Sequence, residues 1–140
     1  MGKRRTAREL AVQLLYQIEV GGGDPEAVKI RFWDEYRAES DVELFTSSLV
    51  KTYEEHAGEI DKIIATAARN WDFDRIARVD RNILRVATAE LLFVEDVPPK
   101  VTLNEAIEIA KKYGSTEKSY GFINGVLDRI MRENVEGDSE

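Results

Sequence analysis

Thr6-Ala7-Arg8-Glu9-Leu10-Ala11-Val12-Gln13-Leu14-Leu15-Tyr16-Gln17-Ile18 sets the pattern that the rest of the chain repeats. Ala7, Leu10, Ala11, Leu14, Leu15 and Ile18 recur at spacings of three and four, which places them on one stripe of a helix. Thr6 and Glu9 stand at capping-box spacing, the hydroxyl turned to the N–H near Glu9 and the carboxylate reaching back, so the helix is predicted to begin at Thr6. Gly21-Gly22-Gly23 ends it. Asp24-Pro25 then supplies an N-cap and a first-turn proline for the next helix.

The same period continues downstream. Val28, Phe32, Trp33 and Tyr36 make the second apolar face, and Ser40-Asp41 opens a third helix with Val42, Phe45, Leu49, Val50 and Tyr53 inward and Gly58 as its cap. Ile60, Ile63, Ile64, Ala67 and Ala68 form the fourth. Trp71 and Phe73 fall in a connection, and Asp74 caps a fifth helix built on Ile76, Val79, Ile83, Leu84, Ala87 and Leu91. Val97-Pro98-Pro99 breaks that pattern. A second capping box, Thr102-Leu103-Asn104-Glu105, opens the sixth helix, which carries Leu103, Ala106, Ile107, Ala110 and Tyr113 and stops at Gly114. Phe122, Ile123, Val126, Leu127, Ile130 and Met131 mark the seventh. Asn124-Gly125 lies within this period and reads as helix, its glycine serving close packing of a neighbouring backbone or close approach of a ligand. Strand-like alternation never persists. The expectation is an all-α fold of one domain over residues 1–134, with an acidic tail at 135–140.

Composition narrows function. A length of 140 residues with 43% apolar and 34% charged residues suits one globular domain. The absence of cysteine excludes a disulfide framework, a thiolate metal site and a cysteine nucleophile, and fits an intracellular, cytoplasmic location. A single histidine, His56, excludes a multi-histidine metal site, and its place at a helix end reads as surface. The triple glycine lacks the Gly-Lys-Ser/Thr of a phosphate loop. Glu105 and Glu108, followed by Lys111 and Lys112, read as a solvated charged face. Glu90, the odd acid within residues 86–93, reads as half-buried and hydrogen-bonded. No stretch approaches the roughly 20 apolar residues of a membrane span. The expectation is a protein that is not an enzyme and needs no cofactor or metal.

Charge is uneven. The whole chain carries −7, and residues 1–8 hold Lys3, Arg4, Arg5 and Arg8 with no acid, so the remaining 132 residues carry −11. Arg4 and Arg8 lie one turn apart on a helix extended back to Arg4, and Arg5 and Arg8 lie three apart, so all three fit one patch that Gln13 and Tyr16 extend. Cations at a helix N-terminus oppose its dipole, whereas a phosphate there satisfies both. The patch reads either as a solvated basic tail or as a grip for a polyanion, with stacking and base-edge contacts suited to single-stranded RNA.

Several stretches together resemble the NusB family of bacterial transcription antitermination factors. They are Arg4-Arg5-Thr6-Ala7-Arg8-Glu9 with Ala11-Val12-Gln13-Leu14-Leu15-Tyr16; Val79-Asp80-Arg81-Asn82-Ile83-Leu84-Arg85 with Ala89-Glu90-Leu91; and Val97-Pro98, Val101, Asn104-Glu105-Ala106-Ile107-Glu108-Ile109-Ala110-Lys111 and Phe122-Ile123-Asn124-Gly125-Val126-Leu127-Asp128. The resemblance implies about seven helices in two packed subdomains, no enzymatic activity, and binding of boxA RNA in nascent transcripts together with NusE, a small-subunit ribosomal protein. The pair would join the RNA polymerase antitermination complex. It implies RNA contacts at Arg4, Arg5 and Arg8, and further at Arg85 and Phe122, while Thr6 replaces a family arginine. Tyr16, Asp80 and Glu117 match positions that meet NusE, in a chain whose 115–121 loop is one residue longer than in familiar members. Family members occur as monomers or homodimers. About three phosphate contacts imply a salt slope near −2 on single-stranded RNA. Rival readings are the NusB-like domain of ribosomal RNA cytosine methyltransferases and a helical adaptor that binds only protein.

Overall fold

The apolar stripes close on one another in a computed structural model that describes residues 2–136. Seven α-helices follow in order: α1 (Gly2–Gly21), α2 (Pro25–Glu35), α3 (Ser40–Glu55), α4 (Ala57–Ala67), α5 (Arg78–Phe93), α6 (Pro99–Tyr113) and α7 (Ser119–Met131). A 3-10 turn, Phe73–Arg75, precedes α5, and a π-helical turn, Arg132–Glu136, follows α7. No strand occurs among the described residues. The fold is all-α, as the spacing predicts. Helices α1–α3 form one packed unit and α4–α7 the other, with α5 lying against both α1 and α3. One core runs through both, from Leu14, Phe32 and Leu49 to Ile64, Ile83, Leu84, Leu127 and Ile130. Burying each such side chain contributes about 1.5–3 kcal/mol.

Helix existence follows the sequence pattern, but several boundaries differ from it. Helix α1 begins at Gly2, so Thr6 lies within it and caps nothing. Helix α6 begins at Pro99, with Pro98 as its N-cap, because proline fits the first turn where no N–H bond is owed. Thr102 is thereby carried inside α6. Gly58 lies in the first turn of α4; the break falls at His56, whose N–H bonds the Thr52 and Tyr53 carbonyls. The His56 ring stacks on Phe93 at 3.9 Å. Asp72, not Asp74, takes a capping role, accepting from the Asp74 N–H at 3.1 Å, and α5 starts only at Arg78. Asp24 does cap α2, after Gly22 and Gly23 at φ +65° and +75° have turned the chain. The chain remains helical through Arg132–Glu136, with Val135 packed on the core; residues 137–140 of the expected tail lie outside the described residues.

Two glycines contrast. A Cβ on Gly125 would meet nothing within 4 Å, so backbone packing does not explain that residue. A Cβ on Gly114 would stand 2.5 Å from the Ala110 carbonyl oxygen and 2.6 Å from the Ser119 Cβ. Gly114 thus lets α6 turn sharply into α7. Gly114→Ala is expected to destabilise the protein by about 2–3 kcal/mol, the upper end of overpacking costs because the atom met is backbone, read as a lowered urea midpoint at unchanged slope.

Candidate nucleic-acid interface

The leading turns of α1 sit among acids drawn from three other elements. Lys3 Nζ lies 3.0 Å from Glu39 and 3.1 Å from Asp41, on the loop and first turn of α3. Arg4 lies over the Phe45 ring at 4.1 Å and reaches Asp96 only loosely, at 3.7 Å. Arg5 donates from Nε and one terminal nitrogen to both oxygens of Glu105 on α6, each at 2.8 Å. Hydrogen bonding from Arg5 holds the Glu105 carboxyl below the usual carboxylate range, and the same pair holds the Arg5 guanidinium charged. This part of the pair's stability is present above that range and fades as pH falls through it. The side chains of Arg4 and Arg5 are 48% and 37% exposed.

Arg8 differs. Its side chain is 6% exposed and donates to both oxygens of Glu90 on α5 at 2.7 Å each. Thr102 Oγ1 donates to the same carboxylate at 2.8 Å, and Arg8 also approaches Glu105 at 3.7 Å. Helix phase causes this: Arg8 lies three, four and seven residues before the buried Ala11, Val12 and Leu15, on the stripe that faces the core. The expected single open patch of Arg4, Arg5 and Arg8 is therefore replaced by two exposed arginines above a buried one. Glu90 is fully rather than half buried. Counting Lys3, four cations at the tip face five carboxylates. The excess of basic residues in residues 1–8 is neutralised locally by acids distant in sequence.

Arg85 lies apart from the tip. Glu19 is 14 residues beyond Arg5, about 21 Å along the helix, and marks the far end of α1. There Arg85 donates to both oxygens of Asp61 at 3.0 and 3.1 Å and to Asn82 at 3.1 Å, beneath the Tyr53 ring. Burial opposes its charge, but Asp61 outweighs this and raises its pKa. Arg81 and Asn82 both donate to Glu19. Burial raises the Glu19 pKa, yet these bonds carry it below the ordinary value. Gln13 is half-buried, and Tyr16 is exposed beside Gln17, Val20 and Arg31. Phe122 is half-buried with the exposed Trp71 ring edge-on at 5.3 Å, a pairing that the local apolar pattern does not signal because the two residues lie far apart in the chain.

Asp80 is turned inward and 6% exposed. It accepts from the Ser115 N–H at 3.0 Å, from Ser119 Oγ at 3.0 Å and from the Ser115 hydroxyl. It fixes the loop on which Glu117 stands exposed. Among the described residues no group of three or more histidine, cysteine, aspartate or glutamate side chains is placed to hold a metal. No helix of the described residues is long and apolar enough to cross a membrane.

An all-helical binding module is the class that this fold and surface define: charged side chains disposed on helix faces around a closed core. Residues 5–132 match the NusB family. The chain is 46% identical over 131 residues to the transcription antitermination protein NusB of Syntrophus aciditrophicus, covering 93% of this chain and 80% of that one. It is 47% identical over 131 residues to that of Geobacter sulfurreducens, covering 93% and 94%. A crystal structure of antitermination factors NusB and NusE in complex with dsRNA contains a chain that superposes with a TM-score of 0.85 at 32% identity, over 95% of this chain and 98% of that one. The chain belongs to the NusB family.

Proposed function

We propose that the chain is a transcription antitermination factor that binds boxA RNA of nascent transcripts as a heterodimer with NusE and joins the RNA polymerase antitermination complex in the cytoplasm. It acts by binding and performs no chemistry. The observation that carries this reading is the match over residues 5–132 to a family whose relatives bear that activity in their names. Arg4 and Arg5 meet RNA phosphates. Both keep exposed guanidinium surface at a helix N-terminus, where the dipole favours the same anion. Arg8 supports them from below by fixing α1 against α5 and α6. Gln13 extends the RNA-facing surface from the tip, and Arg85 and Phe122 are further RNA contacts. Tyr16 and Glu117 face NusE, and Asp80 holds the Glu117 loop in place.

The test is titration of boxA-like and scrambled single-stranded RNA with and without NusE. Tighter binding of the boxA-like RNA when NusE is present supports the reading. Equal binding of both RNAs, unaffected by NusE, refutes it.

A further inference from the structure

The acids at the α1 tip bear directly on how the tip binds an anion. Glu105 is charged, only 14% exposed in its side chain, and saturated by the Arg5 fork on one side and the Arg8 guanidinium at 3.7 Å on the other. It borders an open groove of about 450 Å³, lined also by Arg4 and Arg8, the Asp96–Pro98 turn and Val101. An anion reaching the 37%-exposed Arg5 side chain meets a guanidinium already matched in a bidentate pair by a carboxylate, a planar acceptor of the kind a phosphate replaces. Two anions close to one guanidinium repel each other, and at this half-exposed position water compensates only part of that repulsion.

We propose that Glu105 is an internal counter-anion that an RNA phosphate displaces from Arg5, so that it sets the RNA affinity of the tip below what the arginines alone would give. This rests on the RNA-binding reading above. The exchange needs no change of fold: the partly exposed Arg5 side chain swings from a carboxylate on α6 to a phosphate. Glu105 keeps its approach to Arg8, which stays locked to Glu90. Glu105 thereby acts on RNA as a positioning residue, through Arg5.

Glu105→Gln retains shape and hydrogen-bonding capacity but removes the charge. Glu105→Gln is expected to bind a boxA-like single-stranded RNA about fivefold more tightly than the unaltered protein. Glu105→Asp, which keeps the charge but shortens the side chain, is expected to gain less. In an Arg5→Ala background, Glu105→Gln is expected to gain nothing, because the residue it releases is gone. Thermal melting of each variant establishes that it is folded, and if Glu105→Gln does not fold, Glu105→Asp with and without Arg5→Ala decides the matter. Unchanged or weaker binding by Glu105→Gln overturns the proposal while leaving the RNA reading intact. A gain that persists without Arg5 also overturns it, since removal of charge anywhere nearby then suffices. If neither the unaltered protein nor the variant binds RNA with or without NusE, the RNA-binding reading fails and the proposal with it.

Discussion

Replacing Arg8 with methionine is expected to destabilise the protein by about 3–5 kcal/mol, the range for breaking a buried ion pair from one side. The Glu90 carboxylate would keep one bond from Thr102 and lose the two charge-assisted bonds that compensate its burial. A stability loss of that size is a large share of the 5–15 kcal/mol typical of a whole domain. Pairing the change with Glu90→Met removes the stranded charge and replaces two interlocked polar chains with apolar ones of similar reach. That double variant is expected to recover most of the loss, since a buried pair is often no more stable than the hydrophobic contact that replaces it. Urea unfolding of the two single variants and the double variant measures the coupling directly. A loss under about 1 kcal/mol for Arg8→Met would contradict the buried pair, because exposed pairs have that value.

Replacing Arg4 and Arg5 together with alanine carries the largest expected functional effect. Each phosphate contact at a partly exposed arginine is worth about 1 kcal/mol, so the double variant is expected to bind boxA-like RNA about thirtyfold more weakly in the presence of NusE. Its fold is expected to survive, because the Arg8–Glu90–Thr102 network and the core beneath it are untouched. Circular dichroism separates the two effects. A loss of affinity with an unchanged melting curve assigns the arginines to the interface. Unchanged affinity, measured at low salt where such contacts count most, removes the tip from it.

The seven helices are legible in the sequence because an apolar stripe at spacing three and four needs no knowledge of its partner. Their starts are less so. Both capping-box threonines, Thr6 and Thr102, lie inside helices, because residues further upstream extend them: the basic residues of α1 find acids on other elements, and Pro99 occupies a first turn at no cost in hydrogen bonds. Arg8 was the least legible residue of the candidate site. Its partner lies 82 residues away, and local spacing groups it with Arg4 and Arg5. Two signals together disclose its role. Arg8 falls on the inward stripe of α1, and Glu90 stands alone in an apolar run, so each charge needs the other to be buried. Asp80 follows the same logic on a smaller scale, since the residues it holds, Ser115 and Ser119, lie in a turn whose geometry Gly114 decides.

With Arg8 withdrawn into the core, the tip has two arginines for phosphates rather than three. The dependence of RNA affinity on salt for the chain without NusE counts them. The logarithm of affinity against the logarithm of salt is expected to fall with a slope near −1.4, at about 0.7 per phosphate on a single strand, and to flatten toward zero in the Arg4→Ala, Arg5→Ala variant. An unaltered slope in that variant would place the phosphate contacts elsewhere on the molecule and contradict the role given to the leading turns of α1.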